Sequence, residues 1–134
     1  RALRQKYYRL NLLIAREFFR RGVGTLAGTD APVDNAIPGL SLHEELELMV
    51  EAGLTPLEAL RTATSAPAEF LGLADSVGTV AVGRRADLLI LTADPSVDIR
   101  NTRSIEAVIL GGRLLPRTQL DAMLGGVESM IATW

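Results

Sequence analysis

Asp30 is the residue whose type and position in the sequence are best suited to chemistry. It ends the tripeptide Gly28-Thr29-Asp30, after a short apolar run that predicts a buried strand over residues 23–29. Parallel α/β sheets and barrels place their reactive groups at the carboxyl ends of strands. Gly28 would allow a neighbour or ligand to approach closely, and Pro32 would stop the strand. The tripeptide is also typical of a turn capped by the Asp30 side chain, so both interpretations stay open.

His43 is the only histidine in the chain. The stretch Ser41-Leu42-His43-Glu44 predicts a helix that begins with a capping box, in which Ser41 is the N-cap and Glu44 occupies the third helical position. Glu58 is predicted to take the same place in a second capping box that begins at Thr55. We therefore assign both glutamates to capping rather than to catalysis. The residues alone leave the role of the histidine open.

The elements that must position these residues form a helical part followed by strands. Apolar residues three or four positions apart predict an amphipathic helix over 2–21, ended by Gly22. This apolar stripe consists of Leu3, Tyr7, Leu10, Ile14 and Phe18. Further helices are predicted from Ser41 to about Ala52, from Thr55 to about Thr64, and over 67–71. These helices indicate a compact helical layer around the predicted strand.

A small β-layer is predicted after Ser76, where the hydrophobic period changes from helical to strand-like. The predicted strands span 78–83, 86–91, 105–110 and 113–115. Gly111-Gly112, between the last two, predicts a tight two-residue hairpin. A final helix is predicted from Gln119 to about Leu124, where Gly125-Gly126 should weaken it. The sequence thus divides into 1–75, the β-layer 76–116, and the C-terminal helical part 117–134.

The composition sets limits on the class of protein. The chain has 134 residues, of which 48% are hydrophobic and 22% charged, with a net charge of −2 and no cysteine. Such a chain can bury a core, and it offers no charge surplus that would attract nucleic acid or a membrane surface. We expect a soluble, cytoplasmic protein. Because the chain begins with Arg1 rather than Met, we also expect it to be a piece of a longer protein.

The order of short motifs along the chain resembles the C-terminal third of a metal-dependent amidohydrolase, and most closely the imidazolonepropionase and prolidase-like branch. The resemblance covers roughly residues 10–116. The motifs are, in chain order, Gly28-Thr29-Asp30, Pro38-Gly39-Leu40-Ser41-Leu42-His43-Glu44-Glu45-Leu46, Ala52-Gly53-Leu54-Thr55-Pro56-Leu57-Glu58-Ala59-Leu60, Ala63-Thr64, Ala68, Leu71-Gly72-Leu73, Gly78-Thr79-Val80, Gly83, Ala86-Asp87-Leu88 and Asp94-Pro95.

The resemblance implies an α/β fold: the C-terminal part of a (β/α)8 barrel over 1–75, and a β-layer that belongs to a β-sandwich in the full-length family. It implies that Asp30 ends the eighth barrel strand, binds a divalent metal, which we expect to be zinc, and transfers the proton of the attacking water. It further implies that His43 contacts the substrate. A histidine exposed in the first turn of a helix is the alternative. Asp87 is assigned a structural role at the start of a strand.

The chain departs from the family in its metal ligands. The resemblance implies upstream histidines and a lysine or acid as further ligands, whereas this chain has one histidine and one lysine, Lys6. Two functions therefore stay open. The chain is either a fragment of a hydrolase that cleaves an amide or related C–N bond in a small substrate, or a non-catalytic, self-associating structural domain. If it is a fragment, its partner is the N-terminal part of the barrel, which this chain does not contain. Alone, the chain should bind no metal tightly and be inactive, and it should form homo-oligomers.

Overall fold

A computed structural model describes residues 2–32 and 36–131 of the chain. The elements are, in order, helices α1 (Ala2–Arg20), α2 (Leu40–Ala52), α3 (Pro56–Thr62) and α4 (Ser65–Phe70), strand β1 (Leu88–Leu91), a 3-10 helix (Ile99–Arg103), strands β2 (Ile105–Leu110) and β3 (Arg113–Pro116), and helix α5 (Arg117–Ile131). The chain is therefore an α/β protein in which a helical part precedes a small sheet. The last three residues of the predicted part 117–134 lie outside the described residues.

The sheet is antiparallel, with the strand order β1-β2-β3. Val108 at its centre faces Leu89 of β1 and Leu115 of β3. The β2–β3 connection uses Gly111 at φ 57° and Gly112 at φ 82°. Two consecutive positive φ angles suit a tight hairpin, and glycine adopts them without steric cost. The structure confirms the predicted hairpin, and the strand predicted over 86–91 forms over Leu88–Leu91.

The two predicted capping boxes have different outcomes. The Thr55 side chain accepts a hydrogen bond from Glu58 N at 3.3 Å, and Thr55 N donates to Glu58 Oε2 at 2.8 Å, as predicted. The box at Ser41 was predicted wrongly, because α2 begins at Leu40 and its N-cap is Gly39, without a side-chain cap. The Ser41 hydroxyl accepts from Ile37 N instead, at 2.9 Å. The N-cap therefore lies two residues before the predicted one.

Helix ends also differ from the prediction at two places. The final helix runs through Gly125 and Gly126 to Ile131, whereas we expected it to weaken near Leu124. Glycine disfavours a helix but still donates its N–H to the ladder, so two glycines need not end one. Helix α4 begins at Ser65, two residues before its predicted start. The predicted end of α1 is confirmed, with Gly22 at φ 68°.

Two predicted strands are corrected by the structure. Residues 23–29 and 78–83 belong to no strand within the described parts of the chain. The amide of Ala27 donates to Thr62 O at 3.0 Å, a contact with a helix end rather than with a neighbouring strand. Val80 and Val82 are exposed. An apolar run becomes a strand only when a partner takes its backbone groups, and neither segment has one here.

The core lies between α2, α3 and the 3-10 helix. Its buried cluster consists of Leu46, Met49, Ala59 and Ile99, and Phe19 of α1 packs against it. The predicted apolar stripe of α1 points elsewhere: its five side chains are between 44% and 66% exposed, from Ile14 to Leu3. Helix α1 therefore contacts the core through the face that carries Phe19. The predicted apolar stripe lies on another face of the helix. Among the helices of the described ranges, none is long and apolar enough to cross a membrane.

Candidate functional site

Asp30 lies where the backbone turns after the segment 23–29. Its side chain is exposed, and its φ of 52° falls in the left-handed region. Aspartate tolerates this region better than most residues, and such angles are found more often where a site constrains the backbone. The neighbouring Thr29 hydroxyl accepts from Ala31 N at 3.3 Å. The Thr29 side chain thus accepts a hydrogen bond within the turn. The Asp30 carboxylate is exposed on the same turn.

The segment that leads to Asp30 is held by two helices. Ala27 N donates to Thr62 O at the end of α3, at 3.0 Å. The next amide, Gly28 N, donates to both carboxylate oxygens of Glu45 on α2, at 3.0 and 3.1 Å. Sequence reasoning missed Glu45, since nothing in the pattern around it distinguishes it from Glu44. Its contact joins residues 17 positions apart, which only the fold brings together.

Gly28 itself has more room than expected. A Cβ atom placed on Gly28 would meet no atom within 4 Å among the described residues, and its φ is not in the left-handed region. The neighbour that approaches Gly28 is the Glu45 carboxylate at its amide, and no described atom lies close on the side where a Cβ would stand.

His43 contacts the 3-10 helix. Its Nδ1 lies 2.9 Å from the Thr102 hydroxyl oxygen, and that hydroxyl donates its hydrogen to Ile99 O at 2.8 Å. Because a hydroxyl has one hydrogen to donate, the Thr102 oxygen accepts from His43, and Nδ1 carries the proton in the neutral ring. Nε2 is then the nitrogen with a free lone pair. The histidine is half-buried.

The charges around His43 favour its neutral form. Partial burial lowers the pKa of the imidazole below its ordinary value of 6.5, and the positive charge of Arg103 lowers it further. Glu47 opposes this shift, and it also forms an ion pair with Arg103 in which Nη2 and Oε1 lie 2.9 Å apart. The net effect is a neutral histidine at pH 7.

The structure does not join His43 and Asp30 through any described contact. His43 and Glu45 are two positions apart on α2, which corresponds to about 200° around a helix. Glu45 contacts the segment before Asp30, whereas His43 contacts Thr102. The two candidate residues are therefore positioned by different faces of the same helix.

Asp87 is engaged in the β-layer, in agreement with its structural assignment. Its Oδ1 accepts from Gly111 N at 2.6 Å, and its Oδ2 lies 2.7 Å from Arg85 Nε. These contacts tie the residue before β1 to the β2–β3 hairpin.

The described residues do not by themselves fit a metal ion. No group of three or more histidine, cysteine, aspartate or glutamate side chains comes together in the ranges 2–32 and 36–131. Open cavities are present in this part of the chain instead. One, of about 350 Å³, lies between α1 and α2, and another, of about 610 Å³, lies between α3, α4 and β1. Neither is lined by Asp30 or His43, and both have mainly apolar walls.

Comparison with known proteins gives the family. Residues 4–115 match the profile of the amidohydrolase family. This chain belongs to the amidohydrolase family. Within the superfamily of metal-dependent amidohydrolases, its structural neighbours place it with the prolidase-like branch.

Individual relatives agree with this assignment. An adenine deaminase from Deinococcus deserti is 33% identical over 92% of this chain and 21% of its own length. An adenine deaminase from Ligilactobacillus salivarius is 34% identical over 77% of this chain and 16% of its own length. The crystal structure of a Xaa-Pro dipeptidase with bound methionine in the active site superposes with a TM-score of 0.70 and 30% identity, over 77% of this chain and 25% of the other. The chain thus spans about a fifth of the curated relatives and a quarter of this structural neighbour.

Proposed function

We propose that this chain is the C-terminal part of a metal-dependent amidohydrolase that hydrolyses an amide or related C–N bond in a small substrate, such as a dipeptide, an N-acyl amino acid or a cyclic amide. The family match over residues 4–115 supports hydrolysis of this kind. The similar proteins include adenine deaminases and a Xaa-Pro dipeptidase, and both names denote action on C–N bonds. In this proposal residues 1–75 complete a (β/α)8 barrel, and the segment 23–29 becomes its eighth strand once a neighbouring strand pairs with it.

Asp30 is the catalytic residue of the proposal. The observation that carries it is the exposed carboxylate on a constrained turn, directly after a segment held by α2 and α3. A carboxylate at this place can serve as one ligand of a divalent metal, zinc in our proposal, and can accept and return the proton of a water molecule. A bound metal would acidify that water. The described residues supply too few ligands for a complete site, so the others must come from another part of a longer protein.

His43 has a narrower place in the proposal. Its Nδ1 is bound to Thr102, so a substrate would be contacted through Nε2. A neutral Nε2 accepts a hydrogen bond, and the substrate group that it would recognise is therefore an N–H or O–H donor.

A non-catalytic, self-associating domain is the second candidate. The exposed apolar stripe of α1 favours it, since large contiguous apolar surfaces on a folded chain mark interaction sites. In this alternative the stripe is covered by a second copy rather than by the rest of a barrel.

The test of the catalytic proposal is Asp30→Asn in the full-length protein. Asparagine keeps the size of the side chain and tolerates a φ of 52° as well as aspartate does, so the fold should survive. It cannot act as a base, and we expect kcat to fall by about a hundredfold or more.

The matched control is Asp87→Asn. Its carboxylate ties β1 to the hairpin, so its loss should lower the melting temperature while kcat stays near normal. Near-normal kcat in Asp30→Asn with full metal content would contradict the assignment of Asp30.

A further inference from the structure

Glu45 makes an unusual contact for an acidic residue of α2. Two other glutamates of this helix pair with side chains: Glu47 with Arg103, and Glu51 with the Tyr8 hydroxyl. Glu45 instead accepts a backbone amide, and both of its oxygens lie within 3.1 Å of Gly28 N. A hydrogen bond to an ionised carboxylate is stronger and shorter than one between neutral groups. The contact therefore holds the backbone of a segment that has no strand partner in the described structure.

The position of this contact matters because Gly28 is two residues before Asp30. Consecutive Cα atoms are about 3.8 Å apart, so the Asp30 Cα lies no more than about 7.6 Å from the Gly28 Cα. Thr62 holds the amide just before Gly28, and Thr29 holds the amide just after Asp30. The backbone around Asp30 is thus held at three amides, those of Ala27, Gly28 and Ala31, and Glu45 holds the second.

Glu45 also defines where strand pairing can end. An N–H that donates to a side chain is not free to donate to a neighbouring strand. If 23–29 pairs as a strand in a longer protein, the Glu45 carboxylate takes Gly28 N out of the ladder. The backbone can then leave the strand direction at Thr29 and reach the left-handed φ of Asp30.

We propose that Glu45 is a positioning residue for Asp30: its carboxylate holds Gly28 N and thereby fixes the place of the Asp30 carboxylate. This inference rests on the proposed catalytic role of Asp30. Reacting groups must be held closely, and a misplacement of about 1 Å can lower a rate by about a hundredfold. Glu45 acts only through the backbone and contacts neither substrate nor metal.

The experiment compares Glu45→Ala, Glu45→Gln and the control Glu44→Ala. Glu44 is the adjacent residue of α2 and is exposed. In the 134-residue chain, NMR measures hydrogen exchange of the Gly28 amide. We expect exchange to accelerate in Glu45→Ala, to recover in part in Glu45→Gln, which keeps one acceptor oxygen, and to stay unchanged in Glu44→Ala.

The same variants in the full-length protein measure the effect on catalysis. Glu45→Ala should lower kcat by about tenfold or more with KM unchanged, since the substrate still binds but the base is displaced. Glu45→Gln should restore part of kcat, and Glu44→Ala should match the unmodified protein. Circular dichroism checks that helix content is retained. Glu45→Gln has nearly the same side-chain volume and serves as the test if Glu45→Ala disturbs the fold. Its kcat should then be lower than that of Glu44→Ala, and its Gly28 amide should exchange faster.

Two results separate this inference from the proposed function. If Glu45→Ala equals Glu44→Ala in Gly28 exchange or in kcat while Asp30→Asn is inactive, the positioning role is overturned and the catalytic proposal stands. If Asp30→Asn is fully active, the catalytic proposal fails and the positioning role fails with it.

Discussion

Two regions of this chain contain similar proportions of apolar residues, but only one of them contains buried apolar side chains among the described residues. Region 40–116 contains every buried apolar side chain of the described residues, from Leu46 to Leu115. Region 2–30 has its apolar stripe and Val23 exposed. A hydrophobic pattern tells which residues must be covered, but it does not tell whether the same chain provides the cover.

One glycine of region 40–116, Gly78, lies in closely packed surroundings. A Cβ on Gly78 would lie 2.6 Å from the Ala68 Cβ and 2.9 Å from Thr64 O, so a side chain does not fit there. Gly24 and Gly28 have no atom of the described residues within 4 Å of such a Cβ. Gly72, Gly83, Gly111 and Gly112 of region 40–116 are as open as Gly24 and Gly28 among the described residues, so the close packing is confined to the surroundings of Gly78.

The first prediction compares a leucine from each region. Leu46→Ala removes a side chain that is 4% exposed and should lower the free energy of unfolding by about 2–4 kcal/mol. Leu10→Ala removes one that is 47% exposed and should change it by less than about 0.5 kcal/mol in the isolated chain at concentrations low enough to keep it monomeric. Urea unfolding measures both. Equal losses would show that α1 is packed in solution as tightly as α2.

The second prediction compares the residues at the starts of α2 and α3. Thr55→Ala removes a complete capping box and should destabilise the chain by about 1 kcal/mol. Ser41→Ala removes only the contact with Ile37 N, near the start of α2, and should cost less. Thermal unfolding of both variants checks the order. A larger loss for Ser41→Ala would mean that Ser41 is the N-cap after all.

The third prediction is the smallest effect and concerns pH. The folded pKa of His43 lies below its ordinary 6.5, so the unfolded chain binds more protons between these two values. The contribution of neutral His43 to the free energy of unfolding is fully present above pH 6.5. It decreases as the pH falls toward the folded pKa. The slope from one proton cannot exceed about 1.4 kcal/mol per pH unit.

Urea unfolding between pH 7 and pH 5 measures this slope, with His43→Gln as the control that should lack it. The same slope in both proteins would assign the effect to other groups.

Local signals in the sequence predicted part of this structure. The β2–β3 hairpin and the capping box at Thr55 depend on residues a few positions apart, and both are confirmed. The segments 23–29 and 78–83 were predicted as strands from their apolar character alone. A strand also needs a partner for its backbone groups, and periodicity carries no information about that partner.

The candidate site shows the same limit. The sequence placed Asp30 at the end of an apolar segment, and the structure places it on a turn there. Its supporting contact from Glu45, and the contact between His43 and Thr102, join residues 17 and 59 positions apart. Contacts over such separations depend on how the helices pack, so no local motif could indicate them.

The central claim is that region 2–30 presents a surface that something else must cover. Light scattering of the isolated 134-residue chain over a range of concentrations tests this most directly. We expect a mass at least twice that of the 14.4 kDa chain, lowered by Leu10→Gln and not by Leu57→Gln, which changes an even more exposed leucine of α3. A monodisperse monomer at high concentration would contradict the claim.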